Sequence, residues 1–155
     1  VVKAAFLYNF ATFAEWPADS LAVEQNLSLC VIGDDAIAEA LDQTVKGRAI
    51  RGHKVMVEAI KEDGKVRACH LLFASGYDPA RTTQLARALK GASVLTVSDG
   101  DRFAASGGIA QLYVENERMR FAINTAAADR ARIHLSSKLL NLAKMVKDES
   151  DDAHR

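Results

Sequence analysis

Apolar residues dominate the first fifteen positions. Val2, Phe6, Phe10 and Phe13 recur at i, i+4, i+8 and i+11, the repeat of one helical face. The pattern predicts a helix over residues 1–15, stopped by Pro17, because the residue before a proline avoids the helical region. The short apolar run Leu27-Ser28-Leu29-Cys30-Val31-Ile32 predicts a buried strand. Gly33-Asp34-Asp35 then turns into a helix over 35–44, with Ala36, Ile37, Ala40 and Leu41 as its apolar face. Either aspartate would cap that helix and favour its positive N-terminus.

Further on, the pattern predicts a strand over 55–59, a turn at Asp63-Gly64 and a second buried strand over 69–74. Asp78-Pro79 opens a helix over 79–89, with proline suited to its first position, and Gly91 closes it. Residues 92–97 read as a third buried strand, and 101–105 as a short helix or turn before Gly107-Gly108. Leu112 and Val114, then Met119, Phe121 and Ile123, alternate on either side of Asn116-Glu117. That predicts an antiparallel hairpin of strands 109–115 and 118–123. Leu135, Leu139, Leu142 and Val146 predict a long terminal helix over 133–147. Residues 148–155 are polar, as in a frayed tail.

Strands alternating with helices argue for an α/β fold: a parallel-core sheet flanked by helices, with a C-terminal antiparallel hairpin. A chain of 155 residues fits one domain over 1–155. Hydrophobic residues make up 49% and charged residues 26%, ordinary for a globular protein and wrong for a disordered one. Lys+Arg and Asp+Glu both number 20, so no basic excess points to nucleic acid. No apolar run approaches the ~18 residues of a membrane span. The chain starts at Val1 without an initiator Met, which is compatible with a processed form or a trimmed one.

The chemistry-bearing residues are few. Cys30 and Cys69 are compatible with one disulfide or with two buried thiols. If the strands that carry them are neighbours, the two lie near disulfide distance. Their spacing fits neither a zinc site nor a redox CxxC pair. Asp34-Asp35 could hold magnesium as in a receiver-like domain, but the strand over 69–74 ends in Ala74-Ser75-Gly76, without the acid such a site needs, so a helix cap is the simpler reading. Gly33 and Gly107-Gly108 match neither GxGxxG nor a P-loop. The histidines at 53, 70, 134 and 154 lack metal spacing. Arg132 and His134 together could hold a carboxylate, since arginine supplies a bidentate fork and histidine a second donor. Lys46, Arg48, Arg51 and Lys54 form a basic stretch punctuated by Gly47 and Gly52, more simply a solvated loop than an anion site. Ser136-Ser137 shows no nucleophile elbow. No catalytic centre emerges, and no metal or cofactor is implied.

Several segments together carry a resemblance. They are Ala5-Phe6-Leu7-Tyr8-Asn9-Phe10 leading to Glu15-Trp16-Pro17; Cys30-Val31-Ile32-Gly33-Asp34-Asp35; Leu95-Thr96-Val97-Ser98-Asp99 with Phe103 and Gly107-Gly108-Ile109; Arg120-Phe121-Ala122-Ile123-Asn124; and Leu135-Ser136-Ser137-Lys138-Leu139-Leu140-Asn141-Leu142-Ala143. In order and spacing the set resembles the YfiR family of small secreted Gram-negative proteins over nearly the whole chain. The resemblance implies a periplasmic repressor that binds the periplasmic region of an inner-membrane diguanylate cyclase. It further implies capture by an outer-membrane peptidoglycan-binding lipoprotein, which frees the cyclase and raises cyclic di-GMP and biofilm formation. It implies a homodimer and a Cys30–Cys69 disulfide suited to an oxidising compartment. Some relatives carry a second cysteine pair in the C-terminal half; this chain has none there. Arg132 and His134 fall where similar proteins have a small-ligand pocket. The rival expectation is a periplasmic domain whose main business is to bind an amino-acid-like small molecule through those two residues.

Overall fold

The computed structural model describes residues 1–61 and 64–150; Asp63 of the expected turn lies outside them. The elements follow in the order α1 (Val2–Thr12), β1 (Ala14–Glu15), β2 (Leu27–Ile32), α2 (Asp35–Val45), β3 (Ala49–Ile50), β4 (His53–Ile60), β5 (Leu71–Ala74), α3 (Pro79–Ala88), β6 (Leu95–Ser98), β7 (Ala110–Glu115), β8 (Arg118–Ile123), α4 (Thr125–Arg130), β9 (His134–Leu135), α5 (Ser137–Leu140) and β10 (Lys144–Met145). A single 3-10 turn, Val66–Ala68, precedes β5.

Eight strands form one sheet in the order β10-β8-β7-β6-β5-β2-β4-β3. β4, β2, β5, β6 and β7 are mutually parallel, as the alternation of strands and helices implied. β7 and β8 pair antiparallel from Ala110↔Ile123 to Glu115↔Arg118. Their turn is Asn116-Glu117, both in the left-handed region at φ 52° and 65°, as the tightest hairpin turn requires.

Because successive strand side chains point to opposite faces, the sheet sorts its apolar residues into two cores. Leu29, Val31, Leu71, Phe73, Leu95 and Val97 face α1 and α2. Cys30, Ile32, Leu72 and Ala74 face α3 and Phe103. Near-continuous apolar runs in β2 and β5 therefore serve both faces at once, as buried parallel strands do, whereas β6 turns Leu95 and Val97 to one face and the buried polar Thr96 and Ser98 to the other. Asp34 caps α2 by accepting from the Ile37 amide at 3.0 Å. Asp78 caps α3 by accepting from the Arg81 amide at 2.8 Å, with Pro79 first in the helix.

Two expected helices are corrected. The first ends at Thr12, not residue 15, because Ala14 and Glu15 pair antiparallel with Leu135 and His134. Its buried face is Ala4, Leu7, Phe10 and Ala11, while Val2 is exposed. A helix apolar on most sides leaves its period ambiguous, and the small Ala4 and Ala11 permit close approach. The long terminal helix over 133–147 does not form. That stretch is β9, the single turn α5 and the edge strand β10, which pairs parallel with β8 at Lys144↔Ala122 and Met145↔Ile123. The leucine spacing misled because its members have different fates: Leu135 and Leu139 are buried, whereas Leu142 is exposed. Ser136 starts α5 instead of continuing a helix, its hydroxyl accepting from the Lys138 amide at 3.2 Å. α4 and the short strands β1, β3, β9 and β10 were not expected.

The start of the polar tail is tied down. The Asp148 carboxylate accepts from Asn124 Nδ2 at 3.1 Å and from Arg130 at 2.6 Å. The Glu149 amide donates to the Ala105 carbonyl at 2.9 Å, and its carboxylate pairs with Arg102. Residues 151–155 lie outside the described residues.

Candidate functional site

The sheet topology brings the two cysteines together. β2 and β5 are neighbours in register Cys30↔Leu72, so Cys69, just before β5, reaches the same face as Cys30. They form a disulfide across 39 residues of sequence, with Cα atoms 6.0 Å apart. Both are buried in the core beneath α3.

Next to Cys69, His70 is buried and fully hydrogen-bonded. Its Nδ1 accepts from the Ser28 amide at 2.9 Å, so the ring hydrogen is on Nε2, which donates to the Ser20 carbonyl at 2.9 Å. Its own carbonyl accepts from the Trp16 indole at 2.8 Å, and the two rings meet edge to face at 6.1 Å. Burial pulls the imidazole below its ordinary value, with a smaller contribution from nearby His53; only the bond to Ser20 opposes them. Sequence reading saw His70 only as a histidine without metal spacing. The signal for its structural role was its place at the entry of a buried strand.

Arg132 lies just before β9 in the left-handed region, at φ 59°. Its guanidinium forks onto the Asp19 carboxylate, at 3.0 and 3.2 Å. This bidentate contact holds Asp19 below the usual carboxylate range. His134 is exposed and sits opposite Glu15 in the β1–β9 pair. A free carboxylate arriving at Arg132 would have to replace Asp19.

The basic stretch 46–54 is not wholly solvated. Arg51 donates to the Thr12 carbonyl at 2.7 Å and to that of Ala14, and Arg48 stacks over the Tyr8 ring at 5.4 Å. A cation at the C-terminal end of α1 satisfies the Thr12 carbonyl, which the helix leaves unpaired. The glycines are likewise structural. A Cβ at Gly108 would run into the Phe103 ring, and one at Gly100 into the Tyr77 carbonyl.

At the far end of β6, Lys3 of α1 pairs with Asp99 at 2.7 Å, and Asp99 also accepts from the Gly76 amide at 2.7 Å. Burial pushes the Asp99 carboxyl up, but these contacts outweigh it and leave the carboxyl below the usual range. Lys3, Asp99, Asp101, Tyr113, Val114 and Met119 line an open cleft of about 340 Å³. Val114 of β7 is 66% exposed, Leu142 72%, and Met145 of β10 52%; Val114 sits opposite Met119 near the hairpin turn and Met145 opposite Ile123 at the other end of β8. β8 separates the strands that carry Val114 and Met145. Asp99 and Val114 belong to segments the sequence marked only as a strand end and a hairpin.

Among the described residues, no helix is long and apolar enough to cross a membrane, and no group of three or more His, Cys, Asp or Glu is arranged to hold a metal ion. No curated protein matches the chain. A family model described as YfiR/HmsC-like matches residues 1–144. That match runs from α1 to the first residue of β10, takes in both cores and the Cys30–Cys69 bridge, and the chain therefore belongs to the YfiR/HmsC-like family.

Proposed function

We propose that this protein is a periplasmic negative regulator that binds the periplasmic region of an inner-membrane diguanylate cyclase and lowers cyclic di-GMP output. The observation that carries the reading is the family match over residues 1–144. A regulator of this kind works by differential binding. It holds the cyclase inactive only as far as it binds the inactive state more tightly than the active one. Relief follows by mass action when an outer-membrane peptidoglycan-binding lipoprotein competes for it. The chain works as a homodimer in this reading and contributes no catalytic group.

Two features support the reading. The disulfide is buried within a core and suits an oxidising compartment. Val114, Leu142 and Met145 are exposed apolar side chains, Val114 and Met145 on strands to either side of β8, and exposed apolar surface is what a partner protein covers. Calorimetry of the oxidised protein against the periplasmic region of a cyclase from the same organism tests the proposal. Micromolar or tighter binding supports it, and no binding by folded, disulfide-intact protein refutes it. Weakening on reduction would add a redox-sensing role; unchanged binding would remove that role and keep the regulator.

One observation favours a second reading, a binding domain for amino-acid-like carboxylates. The Arg132 fork already holds a carboxylate, that of Asp19, in bidentate geometry. A thermal shift with amino acids that disappears in Arg132→Ala would support it, and no shift would dismiss it.

A further inference from the structure

The segment 17–26 between β1 and β2 is a self-contained set of turns. Ser20 and Leu21 donate to the Pro17 carbonyl, Gln25 donates to that of Ala22, and the Ala22 amide donates back to the Gln25 side chain. Among the described residues, three attachments join it to the rest of the molecule by hydrogen bonds. His70 Nε2 donates to the Ser20 carbonyl, His53 Nδ1 donates to the Gln25 carbonyl at 2.7 Å, and Arg132 forks onto Asp19. Leu21 adds a half-buried apolar contact.

The three attachments differ in kind. The Arg132–Asp19 pair is exposed on both sides, and exposed pairs hold weakly. His53 contributes a donor whether neutral or protonated. His70 can hold its place only as the neutral Nε2–H tautomer, because the Ser28 amide already points its hydrogen at Nδ1. A second proton would set N–H against N–H in a buried site, where an unmet donor costs most. The groups packed around the ring are Trp16 just after β1, Ser20 of the segment, Ser28 of β2 and His53 of β4. No carboxylate acts on the ring among the described residues, and nearby His53 disfavours its charged form.

We propose that segment 17–26 is an acid-released latch: protonation of His70 breaks its bond to Ser28, the ring leaves its site, and the segment swings away carrying Asp19 off Arg132. The device converts a fall in pH into a mobile segment and a bare guanidinium fork. It stands on the His70 geometry alone and holds whichever partner the protein serves.

Trp16 is the single tryptophan of the chain, and its indole is bonded to His70, so its fluorescence reports on the site in the unmodified protein. The experiment titrates the full chain from pH 7.5 to 4.5. It follows Trp16 emission, the His70 ring nitrogens by NMR, and amide exchange of residues 17–26 corrected for the intrinsic pH effect. The expected result is a common midpoint for all three and at least a tenfold loss of protection over 17–26, with the central strands β5 and β6 still protected. His70→Gln, whose amide supplies one donor and one acceptor at all pH values, should abolish the transition, and His53→Gln should keep it. Exchange that stays constant across the range overturns the proposal. So does loosening that does not share the His70 midpoint, or that persists in His70→Gln. Should His70→Gln not fold, the shared midpoint in the unmodified chain and in His53→Gln decides the matter.

Discussion

Asn124 and Asp148 are joined through a side chain that is fully buried. Asn124 Nδ2 donates to the Asp148 carboxylate at 3.1 Å and to the Ala104 carbonyl at 2.7 Å, while its Oδ1 accepts from the Ala127 amide at 3.0 Å. One residue therefore caps α4, fixes the loop after β6 and receives the chain end after β10. Asn124→Ala would leave a helix uncapped and a buried carbonyl without its donor. The expected loss is about 2–3 kcal/mol, read as a fall of roughly 5–10 °C in Tm for a chain of this size. A change below 2 °C would show that the three segments hold without it.

Asp148 gives this region an acid dependence of known sign. Burial pushes its carboxyl up, but bonds from Ser150, Arg130 and Asn124 outweigh burial and hold the carboxyl below its ordinary value of 3.8. The unfolded chain then takes up the proton first as pH falls. The contribution is fully present above pH 3.8 and is lost as pH drops below it toward the folded value. Asp148→Asn should be less stable near neutrality, with a flatter decline between pH 4 and 2 in denaturant titrations. A parallel decline in both proteins would contradict this assignment.

The disulfide closes 39 residues of sequence, for which loop-closure entropy gives about 4 kcal/mol. The Cys30→Ser, Cys69→Ser double variant should still fold, because both cores stand without the bridge, but with Tm lower by roughly 10 °C. Thiol titration of the unmodified protein under denaturing conditions should find no free thiol. A variant as stable as the oxidised protein would leave the bridge without a stabilising role.

Gly108 and Gly52 make a contrast that thermal melts can resolve. Alanine at Gly108 drives a methyl into the buried Phe103 ring, at a cost of about 2 kcal/mol or more. Alanine at Gly52 meets open space and strains only the backbone, at φ 82°, for about 1 kcal/mol. Equal losses at the two positions would contradict the packing described around Phe103.

The parallel core was legible because β2, β5 and β6 are short buried runs bounded by turn residues, with β2 and β5 largely apolar on both faces. The hairpin was legible because Val114, Met119 and their neighbours alternate around Asn116-Glu117. The C-terminal region was not legible. Leu135 through Val146 keep helical spacing, yet the backbone there is claimed by pairing with Ala14 and Glu15 at one end and with Ala122 and Ile123 at the other. Such non-local pairings leave no local periodicity to read. The roles of Arg51, Asp19 and His70 were hidden for the same reason. Their partners lie 37–39, 113 and 42–54 positions away along the chain, and a lone polar residue does not reveal a distant carbonyl.

The central claim is that this protein restrains a diguanylate cyclase from the periplasmic side. The most direct measurement is intracellular cyclic di-GMP in the host after deletion of this chain, with and without complementation by an exported copy. The account predicts a several-fold rise on deletion, reversed by the exported copy and absent when the cyclase is deleted as well. Unchanged cyclic di-GMP on deletion, with the cyclase present and active, would contradict it.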